Sequence, residues 1–215
     1  LYAQDKPGVK PAMSLRPDLK IISRWIRPNS RVLDLGCGDG ALLKFLQDNF
    51  GVSGYGIEID SENIIKCIEN DVDVIQNDIE KGLLDFDEDS FDYVLMAQTV
   101  QSMQNPVAII REMLRIGRES IITFPNFGHW SCRYSLFFNG LMPVSKALPY
   151  QWYNTPNIHL CTIRDFEKIC RNEHFHILQR EVVDHSHHNS LPIKIWPNMF
   201  GEVAMYRLCS SVHCE

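Results

Sequence analysis

The segment Val32-Leu33-Asp34-Leu35-Gly36-Cys37-Gly38-Asp39-Gly40 decides the fold class. Arg31 to Leu35 reads as a short buried strand, and Gly36 to Gly40 as the turn that ends it. Glycine lacks a Cβ, so such a turn can take positive φ and let a ligand approach the backbone closely. A helix follows over Ala41–Asn49 with Leu42, Leu43, Phe45 and Leu46 inward. Outward from this unit, strand and helix alternate. A helix over Leu19–Ile26, capped by Asp18, precedes it. After it come a strand Ser53–Ile59 and a helix Ser61–Ile68 with Ile64, Ile65 and Ile68 on one face. A third strand Val72–Gln76, an acidic loop Lys81–Ser90 and a fourth strand Phe91–Ala97 follow. A helix Pro106–Ile116 and a fifth strand Glu119–Phe124 complete the regular part.

Repeated β-α-β order predicts an α/β, Rossmann-like fold, a mostly parallel sheet with helices on both faces. The regularity breaks from Pro125 to Leu160, a stretch rich in Phe, Trp, Tyr, Pro and Asn that is too apolar for a linker. It is expected to be a structured insertion over one end of the sheet. Thr162 then caps a helix running to about Asn172. Strands His174–Val183 and Glu202–Leu208 bring the sheet to seven, separated by a loop with His185, His187, His188 and Pro192. Residues 1–215 are expected to form one domain.

With 215 residues, 45% of them hydrophobic, the chain can build one sizeable core. A formal net charge of −6 without a Lys/Arg run argues against a nucleic-acid partner. No apolar stretch is long enough for a membrane span. Leu1 to Met13 has no apolar core of a secretory leader. Cys37, Cys67, Cys132, Cys161, Cys170, Cys209 and Cys214 are odd in number and form no C-x-x-C pair. They read as buried or incidental thiols of a reducing cytoplasm, with no disulfide framework and no zinc site.

The glycine turn sits at the carboxyl end of a parallel strand, where open α/β sheets bind ligands. Gly36-x-Gly38-x-x-Ala41, with Glu58 twenty residues past Gly38, nominally matches a dinucleotide fingerprint. Asp34 and Asp39 argue against it, because two carboxylates beside a pyrophosphate repel it. S-adenosylmethionine carries an α-ammonium and a sulfonium and no phosphate, so it suits those acids. Glu58 ends the second strand, where it can accept from a ribose diol; the alternative is a solvated strand-end acid. Asp78 is placed to accept from the adenine amino group, with Ile59 and Ile79 as apolar flanks; its alternative is a turn residue. Asp60 reads as the cap of the next helix. Asp34 and the turn carbonyls can receive the α-ammonium, and Arg16 is the candidate donor to the α-carboxylate. Gln98, after the fourth strand, completes the set of candidate cofactor residues.

Asp34-Leu-Gly-Cys-Gly-Asp-Gly40, Glu58 and Asp78-Ile79 resemble the cofactor motifs of class I methyltransferases. Phe91-Asp-Tyr-Val-Leu-Met-Ala-Gln-Thr-Val-Gln101, Phe124-Pro-Asn-Phe-Gly-His-Trp130 and Leu148-Pro-Tyr-Gln-Trp-Tyr-Asn-Thr-Pro-Asn-Ile-His159 resemble the MetW family of methionine-biosynthesis proteins, a likeness spanning roughly Leu15 to Leu208. That resemblance implies a cytoplasmic bacterial protein binding S-adenosylmethionine or S-adenosylhomocysteine and partnering a homoserine O-acyltransferase. The competing expectation is an active methyltransferase on a small metabolite.

Catalytic residues are not assigned. The Asn/Asp-Pro-Pro-aromatic turn of amino-group methyltransferases is absent after the fourth strand, where Ala97-Gln98-Thr99-Val100 stands. Pro125-Asn126-Phe127 is similar but follows the fifth strand. His129 and His159 are candidate bases or packed histidines. His185, His187 and His188 are either metal ligands or a solvated loop. The insertion is a lid, a docking surface or extra core.

Overall fold

A computed structural model describes residues 16–184 and 190–210. The elements are α1 Pro17–Ser23, β1 Arg31–Leu35, α2 Ala41–Phe50, β2 Ser53–Glu58, α3 Ser61–Glu69, β3 Val74–Gln76 and α4 Ile79–Gly82. Then follow β4 Phe91–Ala97, α5 Pro106–Ile116, β5 Gly117–Pro125, α6 Trp130–Tyr134, α7 Ile163–Asn172, β6 His176–Val183, α8 Leu191–Ile195, α9 Pro197–Phe200 and β7 Val203–Cys209. They build a seven-stranded sheet in the order β3-β2-β1-β4-β5-β7-β6. β1 to β5 run parallel to one another; β7 runs antiparallel to both β5 and β6.

Alternation along the strands divides the core between the two faces. Leu33, Leu35, Val94, Met96 and Ile122 face α5 and α7, whose Ile110, Met113, Ile163 and Phe166 cover them. Val32, Tyr93, Leu95 and Ile121 face the opposite way, onto Ile22 of α1, Leu43 and Leu46 of α2 and Cys67 of α3. The expected mostly parallel sheet with helices on both faces is what forms.

Several expectations are corrected. The first helix begins at Pro17, and Asp18 lies in its first turn with a buried side chain, so it does not cap. Asp60 does cap α3, accepting from Glu62 and Asn63 N–H groups. α3 does not bury Ile65 and Ile68, which are exposed; Cys67 is its buried residue. The helix flanks the edge strand β3, only three residues long, where little surface is available to cover it. β3 starts at Val74, after Asp71 with φ +55°, and β6 starts at His176, after His174 with φ +57°. The acidic segment begins with the end of α4 and continues in a 3₁₀ turn over Leu83–Asp85, pinned by the buried Leu83. The stretch between the last two strands is not all loop, since α8 and α9 lie there. His185, His187 and His188 lie outside the described residues. In the insertion, α6 continues as a π turn over Ser135–Asn139. Cys37, Cys67, Cys132, Cys161 and Cys170 are free, as expected of thiols, but Cys209 is disulfide-bonded.

Candidate functional site

The strand order reverses direction between β1 and β4, and the crevice at such a point is where open α/β sheets take ligands. On one side lies the glycine turn. It hangs from the second strand, with Gly36 and Cys37 N–H groups donating to the Ile57 carbonyl at 2.8 and 3.3 Å. Gly36 has φ +72° and a Cβ there would meet Thr99 at 2.9 Å, so only glycine fits. Gly38 has φ +57° and nothing within 4 Å of an added Cβ. Its bare face opens on a cavity of about 270 Å³ lined by Arg16, Leu19, Asp34, Asp39 and Ala97 besides the turn.

Asp34 projects from β1 into this wall. It is 3% exposed, and among the described residues its Oδ1 has no hydrogen-bond partner. Burial pushes its carboxyl up to about 7, with the Arg16 guanidinium pulling it down and Glu58 raising it further. A buried, unpartnered carboxylate oxygen is costly unless a ligand satisfies it.

Glu58 is anchored by backbone donors. Its Oε2 accepts from Gly38 N–H at 2.9 Å, and its Oε1 from Ile59 and Asp60 N–H at 2.8 and 3.0 Å. The side chain therefore braces the glycine turn against the end of β2. A carboxylate has about four lone-pair sites, so one remains for a hydroxyl. Asp39 accepts from Ala41 N–H at 3.1 Å in the first turn of α2.

Across the crevice, Gln98 follows β4 with φ +58°, a conformation uncommon outside glycine and concentrated at functional sites. Its Nε2 donates to Asp18 Oδ2 at 3.0 Å, and Arg16 pairs with the same oxygen at 3.1 Å. Asp18, 1% exposed, thus ties the start of α1 to the end of β4. Sequence reasoning missed this role, because an acid next to a proline at a helix start reads as a cap. It also missed Cys37, whose Sγ lies 3.8 Å from Cys67 Sγ beneath the turn; burial pushes both thiols up.

Around the cavity, then, the fold gathers Arg16, Asp34, Gly36, Gly38 and Asp39, with Glu58 and Gln98 linked to them by hydrogen bonds. The proposed adenine set is less closely joined. Ile59 is 65% exposed, and Ile79 is buried in the core. Asp78 caps α4, accepting from Glu80 N–H at 3.0 Å and pairing with Lys81 at 3.2 Å.

Residues 16–208 match the family described as methionine biosynthesis protein MetW. The chain belongs to the MetW family. It is 37% identical over 168 residues to the bifunctional methionine biosynthesis protein MetXA/MetW of Rhodopirellula baltica, covering 74% of this chain and 27% of that one. The MetW chain thus spans about a quarter of that relative's length. It is 24% identical over 194 residues to a sarcosine/dimethylglycine N-methyltransferase of Halorhodospira halochloris, covering 84% of this chain and 67% of the relative. The crystal structure of a SAM-dependent methyltransferase from Archaeoglobus fulgidus has the same fold, with TM-score 0.65 and 15% identity over 89% of this chain and 90% of that one. The MetW domain is therefore built on the class I methyltransferase fold.

In this MetW member Asn126, His129 and His159 are each engaged by hydrogen bonds. Asn126 is 2% exposed and its amide is fully engaged: Nδ2 donates to the Asn198 and Gly201 carbonyls, and Oδ1 accepts from Gly128 and Ile163 N–H groups. It is not free to hold an amine. His129 is buried and caps α6, with Nδ1 2.7 Å from Ser131 Oγ. His159 Nε2 lies 3.3 Å from the Gln104 carbonyl oxygen. Among the described residues no group of three His, Cys, Asp or Glu side chains is placed to hold a metal. No described helix is long and apolar enough to cross a membrane.

Proposed function

We propose that this chain binds S-adenosylmethionine or its demethylated product and acts in methionine biosynthesis as partner of a homoserine O-acyltransferase. The observation that carries the ligand is Asp34. A cavity beside a glycine turn holds a buried carboxylate with an unpartnered oxygen, and an α-ammonium supplies both the missing donor and the missing charge. Arg16, at the same cavity, is the donor to the α-carboxylate. Glu58 offers its remaining acceptor site to a ribose hydroxyl, and exposed Ile59 an apolar surface to the ring. Bound S-adenosylmethionine supplies an activated methyl group. A dinucleotide is disfavoured by Asp34 and Asp39, which would face its phosphates.

The partnership is supported by the Rhodopirellula baltica relative, in which a MetW segment shares one chain with MetXA. The insertion offers a surface for it. Phe137 is 81% exposed, Trp152 72% and Tyr153 70%, within a region that also exposes Trp130, Tyr134 and Phe138. Tyr134, Phe137 and Phe138 touch one another, as do Trp152 and Tyr153, and exposed aromatic groups of this kind mark interfaces. The insertion follows β5, whose carboxyl end lies on the same side of the parallel sheet as the glycine turn. That shared end supports coupling between cofactor occupancy and docking, as in a domain reporting the level of a downstream methylation donor.

The second reading, methyl transfer to a small metabolite, is favoured by the likeness to the N-methyltransferase of Halorhodospira halochloris. It needs no base, since an oriented nucleophile attacks the activated methyl directly. One experiment separates the two. Acyltransferase affinity is measured with and without saturating S-adenosylmethionine; a coupling of about 1–3 kcal/mol, reciprocal in the two ligands, is expected of a sensor. Equal affinities remove the sensor, and methyl transfer to a pathway metabolite that Glu58→Ala abolishes promotes the enzyme.

A further inference from the structure

A second cavity, of about 390 Å³, lies away from the glycine turn and shares no lining residue with it. Its wall comes from α6, the first turns of α7, β6 and the α8–α9 segment. Three arginines line it, Arg133, Arg164 and Arg180, with one carboxylate, Glu167. Glu167 is already committed, accepting from Arg180 at 2.7 Å and from the Tyr206 hydroxyl at 3.1 Å. Arg133 uses Nε on the Gly128 carbonyl at 2.6 Å and keeps its terminal nitrogens. Among the described residues no carboxylate pairs with Arg133 or Arg164. In a chain of net charge −6, two uncompensated guanidiniums at one cavity are a local excess of positive charge. Apart from Asn198 the remaining wall is apolar, with Ile163, Ile195, Pro197, Met199 and Trp196, and Trp196 is 65% exposed. The volume falls in the range of small-molecule sites, and the lining has their usual character, apolar surface with a few convergent polar groups.

We propose that this cavity binds a nucleotide-class ligand, its phosphate held by Arg133 and Arg164 and its base against Trp196. Guanidinium forks match phosphate oxygens in geometry as well as charge. A flat ring suits the indole face, which a bare oxyanion would leave uncovered. The back wall is rigid, because Asn126 Nδ2 donates to the Asn198 carbonyl and Asn198 Oδ1 accepts from Arg164 N–H. The inference stands apart from the cofactor reading, since it uses none of the same residues.

The test is calorimetric titration of the whole chain with ADP and with inorganic pyrophosphate, S-adenosylhomocysteine being present at saturation to exclude adenosine binding at the glycine turn. ADP is expected to bind. Arg164→Ala, which removes a side chain that makes no hydrogen bond or ion pair among the described residues, should weaken ADP and pyrophosphate at least ten-fold. Trp196→Ala should weaken ADP and leave pyrophosphate unchanged. An unaltered thermal unfolding curve shows that the variants are folded. Absence of heat with ADP overturns the proposal, as does equal ADP affinity in wild type and Arg164→Ala.

Discussion

Asp34→Asn tests the electrostatics of the cofactor cavity most sharply. Burial raises the Asp34 carboxyl from its ordinary 3.8 to about 7, against the pull of Arg16 and with help from Glu58. At 1.36 kcal/mol per pH unit, ionising it in the ligand-free fold costs about 4 kcal/mol. The sign follows from proton counts. Between pH 4 and 7 the folded chain holds a proton that the unfolded chain has lost, so this group's contribution to stability is full below pH 4 and is lost as pH rises to about 7. A ligand ammonium reverses the preference and draws out the ionised carboxylate. Binding of S-adenosylhomocysteine should therefore release close to one proton at pH 6, and its affinity should rise about ten-fold per pH unit up to pH 7 before levelling. Calorimetry at pH 6 in buffers of different ionisation enthalpy reads the proton directly. Asp34→Asn should bind weakly, release no proton, and remove the fall in stability between pH 4 and 7. A wild-type affinity that is flat from pH 5.5 to 7.5, with identical heats in all buffers, would refute the assignment of Asp34 as the ammonium partner.

Three further outcomes are expected. Glu58→Ala strips the acceptor from three backbone N–H groups and should destabilise the ligand-free chain by about 3 kcal/mol in urea unfolding, beyond any loss of cofactor affinity; unchanged stability would show that the brace is not formed. Gly38→Leu should abolish cofactor binding by filling the cavity and should cost about 1–2 kcal/mol from its left-handed backbone, so retained affinity would place the ligand elsewhere. Arg16→Ala should weaken cofactor binding at least ten-fold in calorimetry; unchanged affinity would leave Arg16 only its ion pair with Asp18.

The glycine turn shows how much of the site was legible. Gly36 and Gly38 were readable because positive φ and close approach restrict a position to one residue type. Asp34 was readable because its place on the strand sets which way it faces. The work Glu58 does was not readable, because three of its acceptor sites are taken by N–H groups whose direction depends on how β2 ends. That Asp78 also caps the short α4 was not readable, because order along the chain did not show that a helix starts there.

By itself the sequence determined the sheet, the longer helices that cover it and the position of the crevice. Strand alternation, helical spacing and glycine turns are local properties, and right-handed crossovers leave few ways to assemble them. Only the tertiary structure decided which polar groups meet. Asp18 and Gln98 are 80 residues apart in the chain and share a hydrogen bond. Asn126, which resembled a substrate-binding turn, is consumed by carbonyls 72 and 75 residues away. Arg133, Arg164 and Trp196 converge from three separate elements on one cavity. Such meetings depend on where distant segments pack, and the demand that buried polar groups find partners is satisfied across the whole fold, beyond the reach of any local pattern.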